Sequence, residues 1–501
     1  MPTATSRAQQ TVHVIVAGAG PAGLLAAIKL LMRNSDGNAV NYTVEIVEGS
    51  EDFGSLEETG VEKKRSWMIG LSTHGLSAIK TVPGLYEEYV SKVGVPVGGA
   101  AIYPGSMKIV AKDDTPNNFV VDRNFIVRAI ARCLSDRFKG SGKLKMRYNT
   151  KLNFVDGDRK RIFVTEGEED KYLPYDLLLG CDGVRSAVRS GMIARHRDFE
   201  CTVTDIFNCF KAVHVDIDKL LHKGVPIDPG LVHVFPDSPP HFNGIGLVET
   251  GGKINLAMGF HKNHKDKIAK ELFSTDPKVV ADYFRKTFKP FTLPYDEVGE
   301  QWVKQEWSTT GMVYCNFYHS LKMRAVIMGD AAHATSPSIG QGMNTALADA
   351  VAFDRLLDEH HDDLDKALPA FSEERVKEGN ALTNLALYAY SLDRRQQFVI
   401  MISQMVRMFL HKMLPRLVSI EPLVALGKGE KLSKVYNDLT RMGRLGAVRD
   451  TCDRLRREHF ERTTGMVVDT PAGGSWLWWM SMGAAVGGCC YAMGAASKLG
   501  F

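Results

Sequence analysis

The chain has 501 residues, 44% of them hydrophobic, and 62 Lys and Arg against 58 Asp and Glu for a formal net charge of +4. That is ordinary globular composition, long enough for two or more packed lobes, and the near-balance of charge excludes an extended basic footprint for nucleic acid. The eight cysteines, Cys133, Cys181, Cys201, Cys209, Cys315, Cys452, Cys489 and Cys490, include no C-x-x-C pair; this excludes zinc-type spacing and points to free thiols in a reducing compartment.

Met1 to Gln10 is short and polar, with no apolar core of a secretory signal. Val12–Ala17 is a β-branched apolar run that predicts a strand, and Leu24–Met32 predicts a helix after a glycine-rich turn. Tyr42–Val47 predicts the next strand, so the chain opens with a β-turn-α-β unit and a parallel sheet. Asp122–Phe138 has helical periodicity, with Phe125, Ile126, Ala129, Ile130, Cys133 and Leu134 on one face. Asp176–Gly180 is a short buried strand. Between about 200 and 310, alternating runs such as Leu231–Phe235 and Asn255–Phe260 predict an antiparallel sheet. Arg324–Met328 is another buried strand, followed by a helix over Met343–Leu357. Beyond Leu364 the pattern is helical to about Arg462, with Pro415 and Pro422 as breaks. From Thr470 to Ser497 there is no Asp, Glu, Lys or Arg, and Trp476, Trp478 and Trp479 lie inside the stretch. That pattern predicts a C-terminal membrane-spanning helix, with basic residues upstream keeping the upstream side cytosolic; the alternative, given the many Gly and Ala, is a buried or interfacial helical hairpin.

The predicted architecture is α/β. A discontinuous Rossmann-type dinucleotide domain covers 11–195, with 76–119 contributing to a substrate lobe, and resumes over 320–358. A mainly antiparallel β-sheet substrate domain is inserted over 196–319. A helical C-terminal section over 359–465 and the membrane helix within 470–497 follow.

Three constellations carry chemistry. Gly18, Gly20 and Gly23 form G-x-G-x-x-G between a strand and a helix, the context that gives the motif meaning. Gly18 permits the tight turn, Gly20 lets backbone approach a pyrophosphate, and Gly23 lets the helix lie close to the strand. The helix N-terminus turns free N–H groups toward the phosphates. Glu48 ends the second strand, where a carboxylate accepts ribose hydroxyls and disfavours a 2′-phosphate. The second constellation runs from Gly180 to Arg189 and contains Asp182, Gly183 and Arg185. It reads either as a cofactor turn or as a helix N-cap by Asp182 with surface arginines. The third is Gly329-Asp330-Ala331-Ala332-His333-Ala334, then Pro337 and Gly340-Gln341-Gly342-Met343-Asn344. Asp330 ends a strand and can accept hydrogen bonds from a polyol. Gly340 and Gly342 expose N–H groups just before a helix, suited to negative charge on a flavin ring oxygen. His333 is read as a structural hydrogen-bonder. His360-His361 reads as a charged helix end, Arg394-Arg395 as a solvated face, and Phe398–Phe409 as packing or bilayer-surface contact.

In this order and spacing the three constellations resemble the flavin-dependent aromatic hydroxylases of the para-hydroxybenzoate hydroxylase type, and within them the kynurenine 3-monooxygenase branch. The similarity spans roughly 11–460, through Arg65-Ser66, Gly70-Leu71-Ser72, Val121-Asp122-Arg123, Leu179–Arg189, Val326–Asn344, Ala352-Phe353-Asp354 and Phe409-Leu410-His411 with Pro415. The resemblance implies FAD as cofactor, NADPH as a transient co-substrate, O₂, and hydroxylation of an aromatic substrate through a flavin C4a-hydroperoxide. It implies that Gly18, Gly20, Gly23 and Glu48 hold the ADP half and that Arg65 and Arg123 belong to the cofactor set, with Arg123 on the phosphates. It places Asp330 on the ribityl chain and Gly342, Met343 and Asn344 at the flavin ring, with Pro337 and Gly340 also in the cofactor-binding set. Asp182, Gly183 and Arg185 become a fingerprint for FAD and NADPH use. Tyr388 and Tyr390 are substrate candidates. The anchor implies a membrane protein facing the cytosol, in the mitochondrial outer membrane or the endoplasmic reticulum.

The chain departs from that branch at the substrate's carboxylate clamp. Val97-Gly98-Gly99-Ala100-Ala101 stands where the branch has an arginine, Ala389 where it has an asparagine, and Glu421-Pro422 near one tyrosine. A small aromatic or a lipophilic substrate therefore fits as well as kynurenine. The alternatives are a membrane-associated flavin epoxidase or reductase acting on a lipid-like molecule, and a non-catalytic flavin-binding scaffold.

Overall fold

Val14, Ile15 and Val16, in the strand Gln10–Ala17, have no exposed surface, because this strand is covered on both faces at the centre of a sheet. The computed structural model describes residues 10–34, 40–62, 66–112 and 118–466. Its central sheet has six strands in the order His319–Ser320, Ala325–Ile327, Leu177–Gly180, Gln10–Ala17, Val40–Val47 and Leu144–Arg147. Neighbours pair in parallel except at the His319–Ser320 edge. The helix Pro21–Met32 starts with Pro at its first position, where no N–H is needed, and buries Leu24, Leu25, Ala27 and Ile28. It packs on the helices Arg123–Phe138 and Gly342–Glu359. An ion cluster fixes the last contact: Lys29 and Arg33 meet Asp354 at 2.8 and 3.1 Å, and Arg33 also reaches Asp358 and Asp362.

A seven-stranded sheet runs in the order Ser308–Cys315, Cys201–Asp216, Lys253–His261, Asn243–Val248, Val232–Pro236, Gly99–Ile102 and Ile109–Lys112. It is antiparallel except where Val232–Pro236 meets Gly99–Ile102. Inward residues of this sheet pack on the helices Pro277–Thr287 and Tyr295–Lys304 around an aromatic cluster that includes Phe235, Phe242, Phe284 and Trp302. The short strands Met68–Leu71, Asn118–Asp122 and Gly94–Val97 make a third, antiparallel sheet.

The chain divides into two compact units, 1–380 and 381–501. The described part of the second unit is helical, with helices Arg394–Met413, Pro422–Gly427, Leu432–Arg441 and Arg444–Thr464. Its core packs Ile400, Ala447, Val448 and Cys452 with Tyr388 and Leu392. Pro422 starts a helix rather than breaking one: it sits at the first position, and Glu421 accepts from the N–H groups of Leu423 and Val424.

The expected membrane-spanning helix requires correction. Among the described residues no helix is long and apolar enough to cross a membrane. The longest, Leu364–Tyr388 and Arg444–Thr464, carry charged side chains that a hydrocarbon layer does not solvate. The stretch 470–497 lies outside the described residues, and its many glycines and alanines offer little apolar area each. The anchor, and the membrane placement derived from it, therefore lose their support.

Candidate functional site

Strand register builds the site. Ala17 stands opposite both Gly180 and Val47, and Gly180 stands opposite Ile327. Four parallel strands thus end level, and their carboxyl ends deliver Gly18, Glu48, Asp182 and Gly329 to one edge of the sheet. Backbone hydrogen bonds continue past the strand ends: Gly18 N–H to Val47 O at 2.8 Å, Cys181 N–H to Ala17 O at 2.8 Å and Met328 N–H to Gly180 O at 2.9 Å. Ligands of open parallel sheets bind at this edge.

In the first turn the glycines meet different surroundings. Gly18 has φ +98°, and a Cβ there would lie 2.4 Å from the Cys181 carbonyl oxygen. A Cβ on Gly23 would lie 2.2 Å from the Gly18 oxygen. Gly20 is the opposite case, with nothing within 4 Å of the position its Cβ would take. Glu48 folds its carboxylate over the turn, accepting from Ala19 N–H at 2.7 Å and Ser50 N–H at 2.8 Å.

The second turn is held by two caps. Asp182 Oδ2 accepts from Ala187 N–H at 2.6 Å and Val188 N–H at 3.2 Å, and Ser186 Oγ caps the helix Ala187–Arg195 through Arg189 N–H. Burial raises the Asp182 carboxyl above its ordinary range against these hydrogen bonds. Arg185 is exposed. Arg189 is buried and donates to Ala331 O at 2.7 Å and Val184 O at 2.6 Å, so it ties the second turn to the third.

The third turn hangs on a carboxylate that sequence reasoning missed. Asp349 has no exposed side chain and accepts from Gly329 N–H at 2.9 Å and Arg375 Nε at 2.7 Å; its Oδ2 meets His333 Nε2 at 2.7 Å. Burial works to raise its pKa, but His333 and Arg375 hold it down at about 2. The structural role read for His333 is this contact. The missed signal is Asp349 itself, an acid among Ala346, Leu347, Ala350 and Phe353 on a buried helix face. Asp330 heads the short helix Asp330–His333 with its side chain exposed. Pro337 is exposed, Gly340 adopts φ +64°, and a Cβ on Gly340 or Gly342 would meet open space. Met343 is half-buried. Asn344 is fully buried: its amide donates to Gly70 O and Gly340 O, both at 3.0 Å, and its carbonyl accepts from Ser72 N–H at 2.9 Å.

Arg123 opens the helix Arg123–Phe138, which Asp122 caps, and stacks over the Trp67 ring at 5.0 Å. Arg65 lies outside the described residues. Tyr388 and Tyr390 belong to the second unit. Tyr388 donates to Asp453 at 3.2 Å beneath Arg449 and Arg456, while Tyr390 is 44% exposed. In the same unit Arg444 is buried against Glu421 at 2.7 Å and donates to Ala389 O at 3.1 Å.

A protein-family model described as "FAD binding domain" matches residues 123–386. Kynurenine 3-monooxygenase of Cryptococcus neoformans is 25% identical over 419 residues, 75% of this chain and 78% of that protein. Violacein synthase of Chromobacterium violaceum is 28% identical over 388 residues, 76% of this chain and 85% of that protein. Among solved structures, 2-methyl-3-hydroxypyridine-5-carboxylic acid oxygenase shares the fold with a TM-score of 0.57 at 18% identity, covering 75% of this chain and 90% of that one.

Proposed function

The chain belongs to the FAD-binding domain family, and from that premise we propose that its three turns form one flavin cradle serving an aromatic hydroxylation. The protein is an FAD-dependent monooxygenase of the kynurenine 3-monooxygenase kind that uses NADPH. The observation that carries the reading of the site is the level ending of four parallel strands at Ala17, Val47, Gly180 and Ile327.

The residues fit the group. Gly18 and Gly23 are filled on their inner sides, whereas Gly20, Gly183, Gly340 and Gly342 face open space where a Cβ would stand. Gly20 and the N-terminus of the helix Pro21–Met32 would receive the pyrophosphate, with Glu48 at the adenosine ribose. Arg123 would neutralise phosphate charge, Asp330 would accept from the ribityl hydroxyls, and the Gly340–Gly342 amides would hold negative charge at the flavin ring. Asn344 acts one step back, fixing Gly340 and Gly70 in place. When bound, FAD supplies the two-electron chemistry that couples NADPH oxidation to transfer of one oxygen atom from O₂. The side chains contribute position and exclusion of water rather than a nucleophile.

The substrate reading is an electron-rich aromatic not anchored through a carboxylate. Val97–Ala101 offers no cation where the kynurenine branch has an arginine. A buried carboxylate that lacks a cation forfeits several kcal/mol of pairing. NADPH consumption by the flavin-loaded protein tests this, with kynurenine compared against uncharged phenols and anilines. Stimulation and oxygenated product from the uncharged set support the reading; strong stimulation by kynurenine alone refutes it.

A further inference from the structure

Cys201 opens the strand Cys201–Asp216 and Cys315 closes the strand Ser308–Cys315. The two residues stand directly opposite each other in an antiparallel pair. Asn316 N–H donates to Glu200 O at 3.1 Å, so the adjacent Cys201–Cys315 pair is a non-hydrogen-bonded one. In such pairs the Cα atoms lie about 4.5 Å apart, and the side chains are at their closest. A disulfide needs a Cα separation of roughly 4.4–6.8 Å, which that geometry supplies without moving either strand. The sulfurs are 3.7 Å apart, with the Cys315 thiol donating to Cys201.

The two sulfurs differ in setting. Cys201 is partly exposed and Cys315 is buried. The hydrogen bond from Cys315 and the nearby Arg189 guanidinium hold the Cys201 thiol below its ordinary value against the effect of burial. The same hydrogen bond and burial push Cys315 up. Attack by Cys201 and resolution by Cys315 is the order these surroundings favour.

We propose that Cys201 and Cys315 form a peroxide-reactive dithiol site that closes to a cross-strand disulfide. The Cys201 thiolate attacks one oxygen of hydrogen peroxide; an S–O bond forms, the O–O bond breaks and hydroxide leaves. Cys201 is then a sulfenic acid, oxidised by two electrons. The Cys315 sulfur attacks the Cys201 sulfur; the S–S bond forms, the S–O bond breaks, and the leaving hydroxide takes the Cys315 proton to give water. Two thiols and one peroxide yield one disulfide and two waters. A monooxygenase that reduces O₂ without oxidising its substrate releases peroxide, an oxidant of the class this step consumes. That source rests on the function proposed above; the dithiol chemistry does not, because peroxide can be added from solution.

The test treats the reduced full-length protein with a few equivalents of hydrogen peroxide, quenches it, denatures it in N-ethylmaleimide and maps the peptides by mass spectrometry. The expected result is a linked Cys201–Cys315 peptide and loss of most labelling at both positions. Dithiothreitol restores the labelling, and Cys133 and Cys452 stay labelled as buried controls. In Cys315→Ser, Cys201 should be trapped by dimedone as a sulfenic acid; in Cys201→Ser, Cys315 should stay fully labelled. Unchanged labelling of Cys201 and Cys315 in the wild-type protein would overturn the proposal. So would disulfides from either residue to any other partner.

Discussion

Gly18 and Gly20 stand two residues apart and answer different demands. Gly18 has φ +98° and a carbonyl oxygen 2.4 Å from where a Cβ would go; Gly20 has empty space. Gly18→Ala should therefore damage the fold, through strain of about 1–3 kcal/mol plus a clash that must be relieved, and lower the melting temperature with or without flavin. Gly20→Glu should leave circular dichroism and melting of the flavin-free chain unchanged while abolishing flavin absorbance, by charge and bulk where a pyrophosphate would lie. Intact flavin absorbance in Gly20→Glu would refute the cradle. Asp349 makes a second residue-scale prediction. Its folded pKa of about 2 lies below the ordinary carboxylate value. A depressed carboxylate contributes stability that is complete above its unfolded pKa, about 3.9, and is lost as the pH falls toward 2. Asp349→Asn takes away the buried salt-bridge partner of Arg375, and should cost about 3 kcal/mol at pH 7. Urea unfolding followed against pH should show the variant's stability changing less than the wild type's between about pH 4 and pH 2. The glycine spacing was legible because backbone rules act locally. The partners of Asp349 were not, because Gly329 and Arg375 meet it only once three successive segments have packed together.

At the scale of elements, the helix Gly342–Glu359 organises the site. Its N-terminus carries the Gly340–Asn344 turn, its middle supplies Asp349, and its last turns hold Asp354 and Asp358 against Lys29 and Arg33. The apolar periodicity of Met343–Leu357 was enough to predict this helix, as it was for Asp122–Phe138. Its polar residues carried no such signal, since a side chain's hydrogen-bond partners follow from tertiary structure and not from period. Asn344, which the resemblance puts at the flavin ring, also bridges Gly70, Ser72 and Gly340 through its amide, partners that period alone does not give. A Cβ on Gly75 would fall 2.2 Å from the Asn344 carbonyl oxygen, so Gly75 leaves room for that bridge. Asn344→Ala should orphan the Ser72 N–H and free the strand Met68–Leu71 from the turn. The expected cost is about 1–3 kcal/mol, with weaker flavin binding as the functional readout. Flavin titration and thermal melting check both. Unchanged flavin affinity alongside a lowered melting temperature would show that the bridge serves the fold alone.

The whole molecule brings together turns that are far apart in sequence, after residues 17, 47, 180 and 327. The strands themselves were legible as apolar runs, but their order in the sheet was not, because adjacency of Gln10–Ala17 to Leu177–Gly180 rests on packing of the intervening chain. Gly94–Val97 and Gly99–Ile102 escaped notice as strands, since small residues and Pro96 carry little strand signal, and both pair through tertiary contacts. The C-terminal stretch misled for the opposite reason: absence of charge was read as a membrane span. A ligand gripped by all of these turns binds only the folded first unit, so its free energy of binding adds to the stability of that unit. At a free FAD concentration near 100 times its dissociation constant the gain is about 2.7 kcal/mol. At roughly 2–4 °C per kcal/mol for a large domain, the melting temperature should rise by about 5–10 °C. Calorimetry of the flavin-free chain with increasing FAD should show that rise growing with the logarithm of concentration. The same titration on Gly20→Glu should show no shift, and AMP should reproduce only part of it, because it reaches the first turn and not the third. A wild-type transition indifferent to FAD would mean that the level strand ends do not form a single cradle, whatever the sequence of the turns.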